Sequence, residues 1–361
     1  MKEKLRVGIV GATGMVGQRF LSLLENHPWF DVVLVAASSN SAGKTYEEAV
    51  QNRWAMKTPI PSKVKNLVVY DASRIDSIAN EVDFVFCAVD MPKEDILILE
   101  EAYARREVPV VSNNSANRMT PDVPMIMPEV NWNHAEIIPL QRKRLGTKHG
   151  FIAVKPNCSL QSYVPAIHPL MEFGPQEMVV CTYQAISGAG KTFESWPEMV
   201  DNVIPFIKGE EEKSEKEPLK IWGSIVGEQI VSASRPVISA QCIRVAASDG
   251  HMAAVSVRFE KKPSREEILH LWKSCTPRPQ QLGLPSAPQP FLTYFEEENR
   301  PQTKLDRDIG QGMGIALGRL REDHIFDYKF VCLSHNTIRG AAGGAILTAE
   351  LLCADGYIYR K

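Results

Sequence analysis

One cysteine stands where the chain could form a reactive thiolate. Cys158 lies in the segment 155–159 (KPNCS), between a predicted strand, Phe151–Lys155, and a predicted helix. Two prolines, Pro165 and Pro169, predict that this helix is short or kinked. A helix N-terminus stabilises a thiolate, and its free N–H groups could also hold an oxyanion when the thiolate attacks a carbonyl. We therefore predict a nucleophile here, and we expect the other six cysteines, in or beside apolar runs, to be packing residues.

A histidine after a turn signal is the leading candidate for an acid or base. His251 follows Ser248, Asp249 and Gly250, a sequence typical of a β-hairpin turn. With a two-residue turn, Ser248 would face His251, and strand alternation would place Arg244 on the same face as His251. A three-residue loop would reverse that geometry. The residues alone leave two interpretations open, a turn-capping histidine and a catalytic one.

A glycine-rich turn near the N-terminus indicates a nucleotide site. Gly11, Gly14 and Gly17 form a G-x-x-G-x-x-G pattern directly after the predicted strand Leu5–Val10, and helical spacing follows. Backbone N–H groups at such a helix start can bind a pyrophosphate. This context predicts dinucleotide binding, and the alternative is a glycine-rich turn without a ligand.

The loop after the second predicted strand bears on the choice of cofactor. An acidic residue there would bind the ribose 2′-hydroxyl of NAD. The strand Asp31–Ala37 is instead followed by Ser38, Ser39, Asn40 and, further on, Lys44. Hydroxyls, an amide and a lysine suit a 2′-phosphate, so we expect NADP. The alternative is an ordinary polar loop.

Strands and helices alternate in the first half of the chain, and a helix is predicted at Lys93–Arg106. The predicted strands are Leu5–Val10, Asp31–Ala37, Lys65–Tyr70, Val82–Val89, Val108–Ser112 and Phe151–Lys155. Such alternation implies an α/β fold whose parallel sheet is covered on both faces.

After residue 157 the pattern changes to longer, more alternating segments that suit an antiparallel or mixed sheet. These segments are Met178–Ser187, Val237–Ala246, Met252–Glu260, Gly314–Arg321 and Phe326–Leu333. The charge-rich stretch Gly209–Lys220 and the Pro- and Gln-rich stretch Thr276–Pro290 are expected to be irregular or solvated. Thr337–Leu352 is predicted to be a small-residue helix that packs closely against another element.

Composition excludes several classes of protein. A chain of 361 residues predicts two or three domains. Lys plus Arg is 41 and Asp plus Glu is 43, so a net charge of −2 offers no general attraction to nucleic acid or to a membrane surface. The seven cysteines form no CxxC pair, which argues against a zinc ribbon. No signal peptide or membrane-spanning run is visible, so we expect a cytoplasmic protein without a metal.

Nine motifs, spread nearly end to end, give the chain a family resemblance. They are GATGMVGQRF, SAGK, VVSNNSANRM, VKPNCS, YQAISGAG, GEEEK, IRVAASDGH, RPQTKLDRD and SHNTIRGAAGG. On these residues the chain resembles the aspartate-semialdehyde dehydrogenases, particularly those of archaea and fungi. The NCS and QAISGAG blocks are specific, whereas the N-terminal glycines alone are not.

The resemblance implies a fold, an activity and an assembly. A Rossmann-type NADP-binding domain would span 1–157, completed by a C-terminal helix within 336–361, and an α+β catalytic and dimerisation domain with a mixed, largely antiparallel sheet would span 158–335. The family reduces L-aspartyl-4-phosphate to L-aspartate 4-semialdehyde with NADPH and releases phosphate, in the biosynthesis of lysine, threonine, methionine and isoleucine. The reaction passes through a cysteine thioester. The resemblance also implies a homodimer or homotetramer that binds small molecules.

The resemblance assigns roles to individual residues. Its catalytic group would be the nucleophile Cys158, the acid/base His251, the substrate-orienting Gln184 and, at the carbonyl-oxygen site, Asn157. Its substrate-binding group would be Arg244 for the α-carboxylate, Glu210 for the α-ammonium, and Arg118, Ser115 and Lys213 at the phosphate. Its cofactor-binding group would be Gly11, Thr13, Gly14, Met15, Val16, Ser38, Ser39, Ser187, Gly188 and Asn336.

Two departures and two alternatives accompany this assignment. Many family members have an arginine where this chain has Asn40, and the block Lys191–Trp196 matches no functional element. A reductase of another activated acyl group, such as malonyl-coenzyme A, is the alternative enzyme, but Glu210 and Arg244 together favour an α-amino acid. A nucleotide-sensing protein that had lost the chemistry should lack some of the catalytic group, which is complete here.

We predict that the protein uses NADP with a higher kcat/KM than NAD. With Asn40 in place of the common arginine, the expected preference is about tenfold, which corresponds to ~1.4 kcal/mol. Side-by-side steady-state kinetics with the two cofactors test this prediction, and equal or better use of NAD would contradict it.

Overall fold

In the computed structural model, which describes residues 3–361, the first half of the chain forms a six-stranded parallel sheet. Its strands are β1 (Leu5–Val10), β2 (Phe30–Ala37), β3 (Val69–Asp71), β4 (Phe84–Cys87), β5 (Val110–Ser112) and β6 (Ile152–Val154). Its helices are α1 (Met15–Leu24), α2 (Tyr46–Val50), α3 (Ser62–Lys65), α4 (Ile75–Ala79), α5 (Lys93–Arg105), α6 (Pro128–Asn131) and α7 (Ile138–Leu145), with 3₁₀ turns at Gln51–Arg53 and Trp132–Ile137.

The strand order β3-β2-β1-β4-β5-β6 is that of doubly wound dinucleotide-binding folds, which confirms the predicted fold class. The strands are apolar because both faces of the sheet are covered: Ile9 and Val10 of β1 point to opposite faces, and both are fully buried. Phe20 of α1 stacks on Phe86 of β4 with ring centroids 4.5 Å apart, which seats the first helix against the sheet. The strand predicted at Lys65–Tyr70 is wrong in its bounds, because its first residue ends a helix and pairing in β3 begins later.

The second half builds a seven-stranded mixed sheet in the order β13-β14-β15-β12-β7-β11-β8, beside a separate β9–β10 ribbon. The strands are β7 (Pro175–Gln184), β8 (Val203–Ile204), β9 (Ser224–Val226), β10 (Gln229–Val231), β11 (Val237–Val245), β12 (His251–Phe259), β13 (Leu292–Phe295), β14 (Ile315–Glu322) and β15 (Tyr328–Ser334). The helices are α8 (Leu160–Ile167), α9 (Glu210–Ile221), α10 (Arg265–Ser274), α11 (Arg278–Gln281) and α12 (Thr303–Asp306), with 3₁₀ turns at His168–Phe173, Ile186–Ala189, Pro197–Met199 and Ile309–Gly312.

Only β7/β11 and β13/β14 pair in parallel within this sheet, so the prediction of a mixed, largely antiparallel sheet is confirmed. One face packs against helices. Trp272 of α10 is buried, donates its indole N–H to the Ala166 carbonyl of α8 at 2.8 Å and contacts the Phe330 ring. On the other face apolar side chains are exposed to solvent: Val179 is 43% exposed and Val237 is 55% exposed.

The predicted hairpin at Asp249 and Gly250 is wrong. Strand β7 lies between β11 and β12 and pairs with both, in parallel with β11 and antiparallel with β12. The turn residues therefore form a connection that crosses the end of β7, with Gly250 at φ +97°. A local turn signal cannot report that a strand formed about 70 residues earlier in the chain will insert between the two strands it joins.

The charge-rich stretch Gly209–Lys220, which the sequence predicts to be irregular or solvated, forms most of helix α9. Glu210, Ser214 and Glu217 are buried on one face of this helix, at the spacing of successive turns. The face is polar because the groups that it contacts are polar, so hydrophobic periodicity gave no signal for it.

The small-residue helix predicted at Thr337–Leu352 is present as a π-helical turn, Ile338–Ala342, followed by α13 (Gly343–Ala354). Ile346 and Leu347 are buried in the core of the parallel sheet, although the helix lies far from that sheet in sequence. Arg339, in the π-helical turn, donates two hydrogen bonds to Glu129 of α6 at 2.7 and 2.8 Å, and both side chains are buried. No helix in residues 3–361 is long and apolar enough to cross a membrane.

We predict that Arg339→Ala lowers the free energy of unfolding by about 3–5 kcal/mol, because Glu129 would be left buried without its partner. Chemical denaturation monitored by circular dichroism measures the change. As a matched control, Lys143→Ala removes an exposed pair with Glu228 and should leave stability nearly unchanged. Similar curves for both variants would contradict the prediction.

Candidate active site

Two glycines let the backbone approach closely where the parallel sheet meets α1. A Cβ on Gly11 would lie 2.2 Å from the Ala88 carbonyl oxygen, and one on Gly17 would lie 2.2 Å from the Gly11 carbonyl oxygen. No side chain caps the N-terminus of α1, which begins at Met15. The predicted cofactor residues of this turn are Gly11, Thr13, Gly14, Met15 and Val16. The uncapped helix start suits a pyrophosphate.

A cavity of about 540 Å³ opens at the carboxyl ends of β2 and β3. Ser39 lines it, and Ser38 and Ser39 are both exposed. Lys44, grouped with them from the sequence, instead donates to the Asn40 carbonyl of its own loop at 2.9 Å. Arg74 also lines the cavity, and sequence analysis did not single it out, although it follows the third strand.

Four neighbouring strands place polar side chains in one row at the edge of the second sheet. Arg244 of β11 stands opposite Gln184 of β7, and the β7/β12 register puts His251 beside Gln184. Ser334 of β15 stands opposite His251. Residues directly opposite one another share a face of the sheet, so three predicted site residues meet here without the predicted hairpin.

His251 is a buried, neutral imidazole. Its Nδ1 accepts the Ala185 backbone N–H at 3.1 Å, so the ring hydrogen is on Nε2, which has no hydrogen-bond partner among residues 3–361. Burial, assisted by the nearby Arg244 charge, lowers the pKa of His251 to about 3. A Cβ on Gly188 would lie 2.9 Å from both Nε2 and the Arg244 guanidinium, so this glycine keeps the space above them open. The site thus offers an unpaired N–H donor.

Hydrogen bonds of the residues on either side of Cys158 hold the cysteine in place before α8. The Asn157 backbone N–H donates to Glu217 at 2.7 Å, and its side-chain oxygen accepts the Ser159 N–H at 2.8 Å. Cys158 is half-buried, and a Cβ on Gly340 would lie 2.9 Å from its Cβ, so the π-helical turn packs directly on the cysteine. As predicted, α8 is short: it contains Pro165 and passes at His168 into a 3₁₀ turn whose second residue is Pro169.

Helix α9 supplies a carboxylate to the site. Glu210 accepts hydrogen bonds from the Asn157 side-chain amide at 3.0 Å, from Gln184 at 3.2 Å and from Lys213 at 2.7 Å. Burial alone would raise the pKa of Glu210, but the Lys213 ammonium and these hydrogen bonds hold it below its ordinary value. Cys158 is near enough for the Glu210 charge to act on it.

The loop after β5 carries Ser115 and Arg118. Arg118 is buried and already engaged: it donates to Glu217 at 3.0 Å and to the Lys155 carbonyl at 3.0 Å. Ser115 is half-buried on the same loop. Asn113, which sequence analysis missed, has a side-chain amide whose oxygen and nitrogen are both buried without a hydrogen-bond partner in the described part of the chain. Its position at the carboxyl end of a parallel strand is the signal that could have identified it.

The remaining predicted cofactor residues meet between the two sheets. Asn336 donates to the Ser187 hydroxyl at 2.9 Å and accepts the Gly250 N–H at 2.8 Å. A cleft of about 400 Å³ runs from Met15 past Ser187, and residues 191–194 line it, so the block without a motif match lies at this cleft. Among residues 3–361, no group of three or more His, Cys, Asp and Glu side chains is placed to hold a metal ion.

Comparisons with known proteins agree over nearly the whole chain. Two family models match, one described as the NAD binding domain of semialdehyde dehydrogenase over residues 6–138 and one as its dimerisation domain over residues 167–339. Aspartate-semialdehyde dehydrogenases of Aspergillus fumigatus and Archaeoglobus fulgidus are 41% and 42% identical, each over 98% of this chain and 99% of the relative.

A solved structure is also similar. The aspartate semialdehyde dehydrogenase of Candida albicans, crystallised with NADP, superposes with a TM-score of 0.89 at 36% identity. The superposition covers 99% of this chain and 100% of that chain.

We predict that the His251 ring does not titrate between about pH 5 and 8, because its pKa lies near 3. NMR of the imidazole carbon, assigned with His251→Gln, should show a constant shift over this range. In denatured protein the same signal should titrate near the ordinary histidine value of about 6.5. A midpoint close to that value in folded protein would show that the imidazole is not held neutral.

Proposed function

The chain belongs to the aspartate-semialdehyde dehydrogenase family, and from this we propose that it reduces L-aspartyl-4-phosphate to L-aspartate 4-semialdehyde with NADPH, releasing phosphate. The step belongs to the biosynthesis of lysine, threonine, methionine and isoleucine. The observation that carries the proposal is a cluster that combines the half-buried thiol of Cys158, the His251 imidazole N–H, the Glu210 carboxylate and the Arg244 guanidinium. The malonyl-coenzyme A alternative is not favoured, since the similar proteins are aspartate-semialdehyde dehydrogenases.

The charged residues of this cluster and its surroundings suit the charged groups of the substrate. The planar fork of Arg244 suits the α-carboxylate, and Glu210 suits the α-ammonium. Lys213, on the same helix as Glu210, together with Arg118 and Ser115, suits the phosphate. Because Arg118 is paired with Glu217, we propose that it binds phosphate through its remaining N–H groups.

Cys158 is proposed to attack the acyl phosphate. A bond forms between Sγ and the acyl carbon, and the bond from that carbon to the phosphate oxygen breaks. Inorganic phosphate is released, and the acyl group remains on Cys158 as a thioester. Bound NADPH supplies the hydride that reduces the thioester. The Nε2–H of His251 donates to the acyl oxygen as negative charge develops there, and Gln184 orients the substrate. The thiolate then leaves as the aldehyde forms.

The cofactor residues suit NADPH. The uncapped start of α1, with Gly11, Gly14 and the neighbouring turn, would hold the pyrophosphate. Ser38 and Ser39 would bind the 2′-phosphate, with Arg74 as the cation lining the same cavity. Ser187, Gly188 and Asn336 would position the nicotinamide.

We also propose a homodimer formed through the open face of the seven-stranded sheet. Val179 and Val237 leave an apolar surface there, and the family model that covers residues 167–339 is described as a dimerisation domain. Pairing of dimers into a tetramer and a cytoplasmic location stay predictions. The division into 1–157 with 336–361, and 158–335, is likewise proposed.

The function is tested by a reverse-direction assay with aspartate semialdehyde, phosphate and NADP, in which formation of reduced cofactor is followed by its absorbance. We predict phosphate-dependent turnover. Cys158→Ser should abolish it while NADP binding, measured by calorimetry, stays near wild type, because the nucleophile is outside the nucleotide site. Turnover that does not need phosphate, or substantial activity in the variant, would refute the proposal.

A pair of conservative substitutions tests the two ends of the substrate. Arg244→Lys removes the bidentate fork and should lower kcat/KM for aspartate semialdehyde with KM for phosphate unchanged. Arg118→Lys should raise KM for phosphate and cost less in kcat/KM for the aldehyde, because phosphate accepts a point charge more readily. A phosphate defect confined to the Arg244 variant would mean that the two ends are assigned in reverse.

A further inference from the structure

A buried lysine outside the proposed catalytic group lies in the segment 155–159 that carries Cys158. Lys155 directly follows β6, lies three residues before Cys158 and is 2% exposed. Its backbone N–H donates to the Ser112 carbonyl at 2.8 Å, and its carbonyl accepts Nε of Arg118 at 3.0 Å. A Cβ on Gly344 would lie 3.3 Å from its Cδ, so the end of the chain covers its aliphatic stem. These contacts fix where its ammonium can lie.

The Lys155 ammonium has little around it to offset its charge. Its one hydrogen bond within the described part of the chain goes to the Pro156 carbonyl. Among residues 3–361 no carboxylate forms a salt bridge with it, and Glu217, the carboxylate that acts on it, is already paired with Arg118. Burial lowers the pKa of Lys155 to about 7. A buried cation without a counter-ion is destabilising, so a nearby anion would stabilise it.

The thiolate of Cys158 can be that anion, because one segment of the chain covers both side chains. A Cβ on Gly340 would lie 2.9 Å from the Cys158 Cβ, and a Cβ on Gly344, four residues later, would lie 3.3 Å from the Lys155 Cδ. Burial and then the Glu210 charge raise the pKa of the Cys158 thiol, and Lys155 is foremost among the cations that lower it. Arg118 is already paired with Glu217, and Arg244 is proposed to bind the substrate. The charged groups that face the lysine and the cysteine are Arg118, Glu210, Glu217, Arg244 and Arg339.

We propose that Lys155 is a positioning residue whose ammonium serves as the counter-ion of the Cys158 thiolate. The proposal rests on the proposed role of Cys158 as nucleophile. When the proton leaves Sγ, the two side chains form a neutral pair, whereas the protonated thiol leaves the buried lysine uncompensated. Each charge stabilises the other, so the two titrations are coupled. Removing the lysine charge therefore makes the thiolate harder to form.

The test measures thiolate formation directly, apart from turnover. The purified protein is treated with iodoacetamide across a range of pH, and alkylation of the peptide that contains Cys158 is followed by mass spectrometry, so the other cysteines do not interfere. In Lys155→Met the pH profile should shift upward by about one unit, which makes alkylation at neutral pH about tenfold slower.

Lys220 provides the matched control. It is also buried, but its ammonium donates to the carbonyls of Arg118, Thr120 and Val123 at 2.7, 2.7 and 2.9 Å, and it does not act on Cys158. Lys220→Met removes the same charge from the interior and should keep the wild-type alkylation profile. An equal shift in this control would overturn the proposal, because the effect would then come from loss of packing.

A second variant keeps the test possible if Lys155→Met does not fold. Lys155→Gln keeps a donor for the Pro156 carbonyl and loses the charge, so it should show the same shift with a wild-type circular dichroism spectrum. Lys155→Arg restores the charge and should return the profile towards wild type. A wild-type profile in a folded neutral variant would overturn the proposal. Absence of turnover in the wild-type protein would instead refute the proposed function and leave the alkylation result readable.

Discussion

The candidate active site depends on two buried carboxylates of one helix. Glu217 accepts the Asn157 backbone N–H and the Arg118 guanidinium, and Glu210 accepts the Asn157 amide, Gln184 and Lys213. They are seven residues apart, two helical turns, so both face the same way. Because a buried carboxylate without donors is costly, these hydrogen bonds hold the segment 155–159, the loop after β5 and the second sheet in one arrangement.

Close backbone approach is the second condition on the site. Glycines stand where a Cβ would collide with Cys158, with His251 and Arg244, or with the end of β4. The π-helical turn that carries Gly340 is held by the buried pair of Arg339 with Glu129, so the end of the chain closes on the cysteine from the side of the parallel sheet. Distortions of this kind in helices are common at functional sites.

The titratable groups of the candidate active site differ in protonation state because their environments differ. His251 is held neutral by burial, with its backbone hydrogen bond determining which nitrogen carries the hydrogen. Glu210 stays ionised because donors and Lys213 outweigh its burial. A neutral donor, a fixed carboxylate and a thiol whose ionisation needs a nearby cation are the elements that acyl transfer uses.

The sequence by itself determined the fold class, the glycine turn, the short helix after Cys158 and, through resemblance, the candidate residues. These depend on local spacing and on recognisable motifs, which a linear reading preserves. Tertiary structure alone decided that β7 inserts between β11 and β12, that α9 buries a polar face, and that Lys155, Asn113 and Arg74 lie beside the candidate sites. Strand insertion joins segments distant in the chain, and a polar helix face is buried only when its donors arrive from elsewhere, so neither leaves a periodic signal in the sequence.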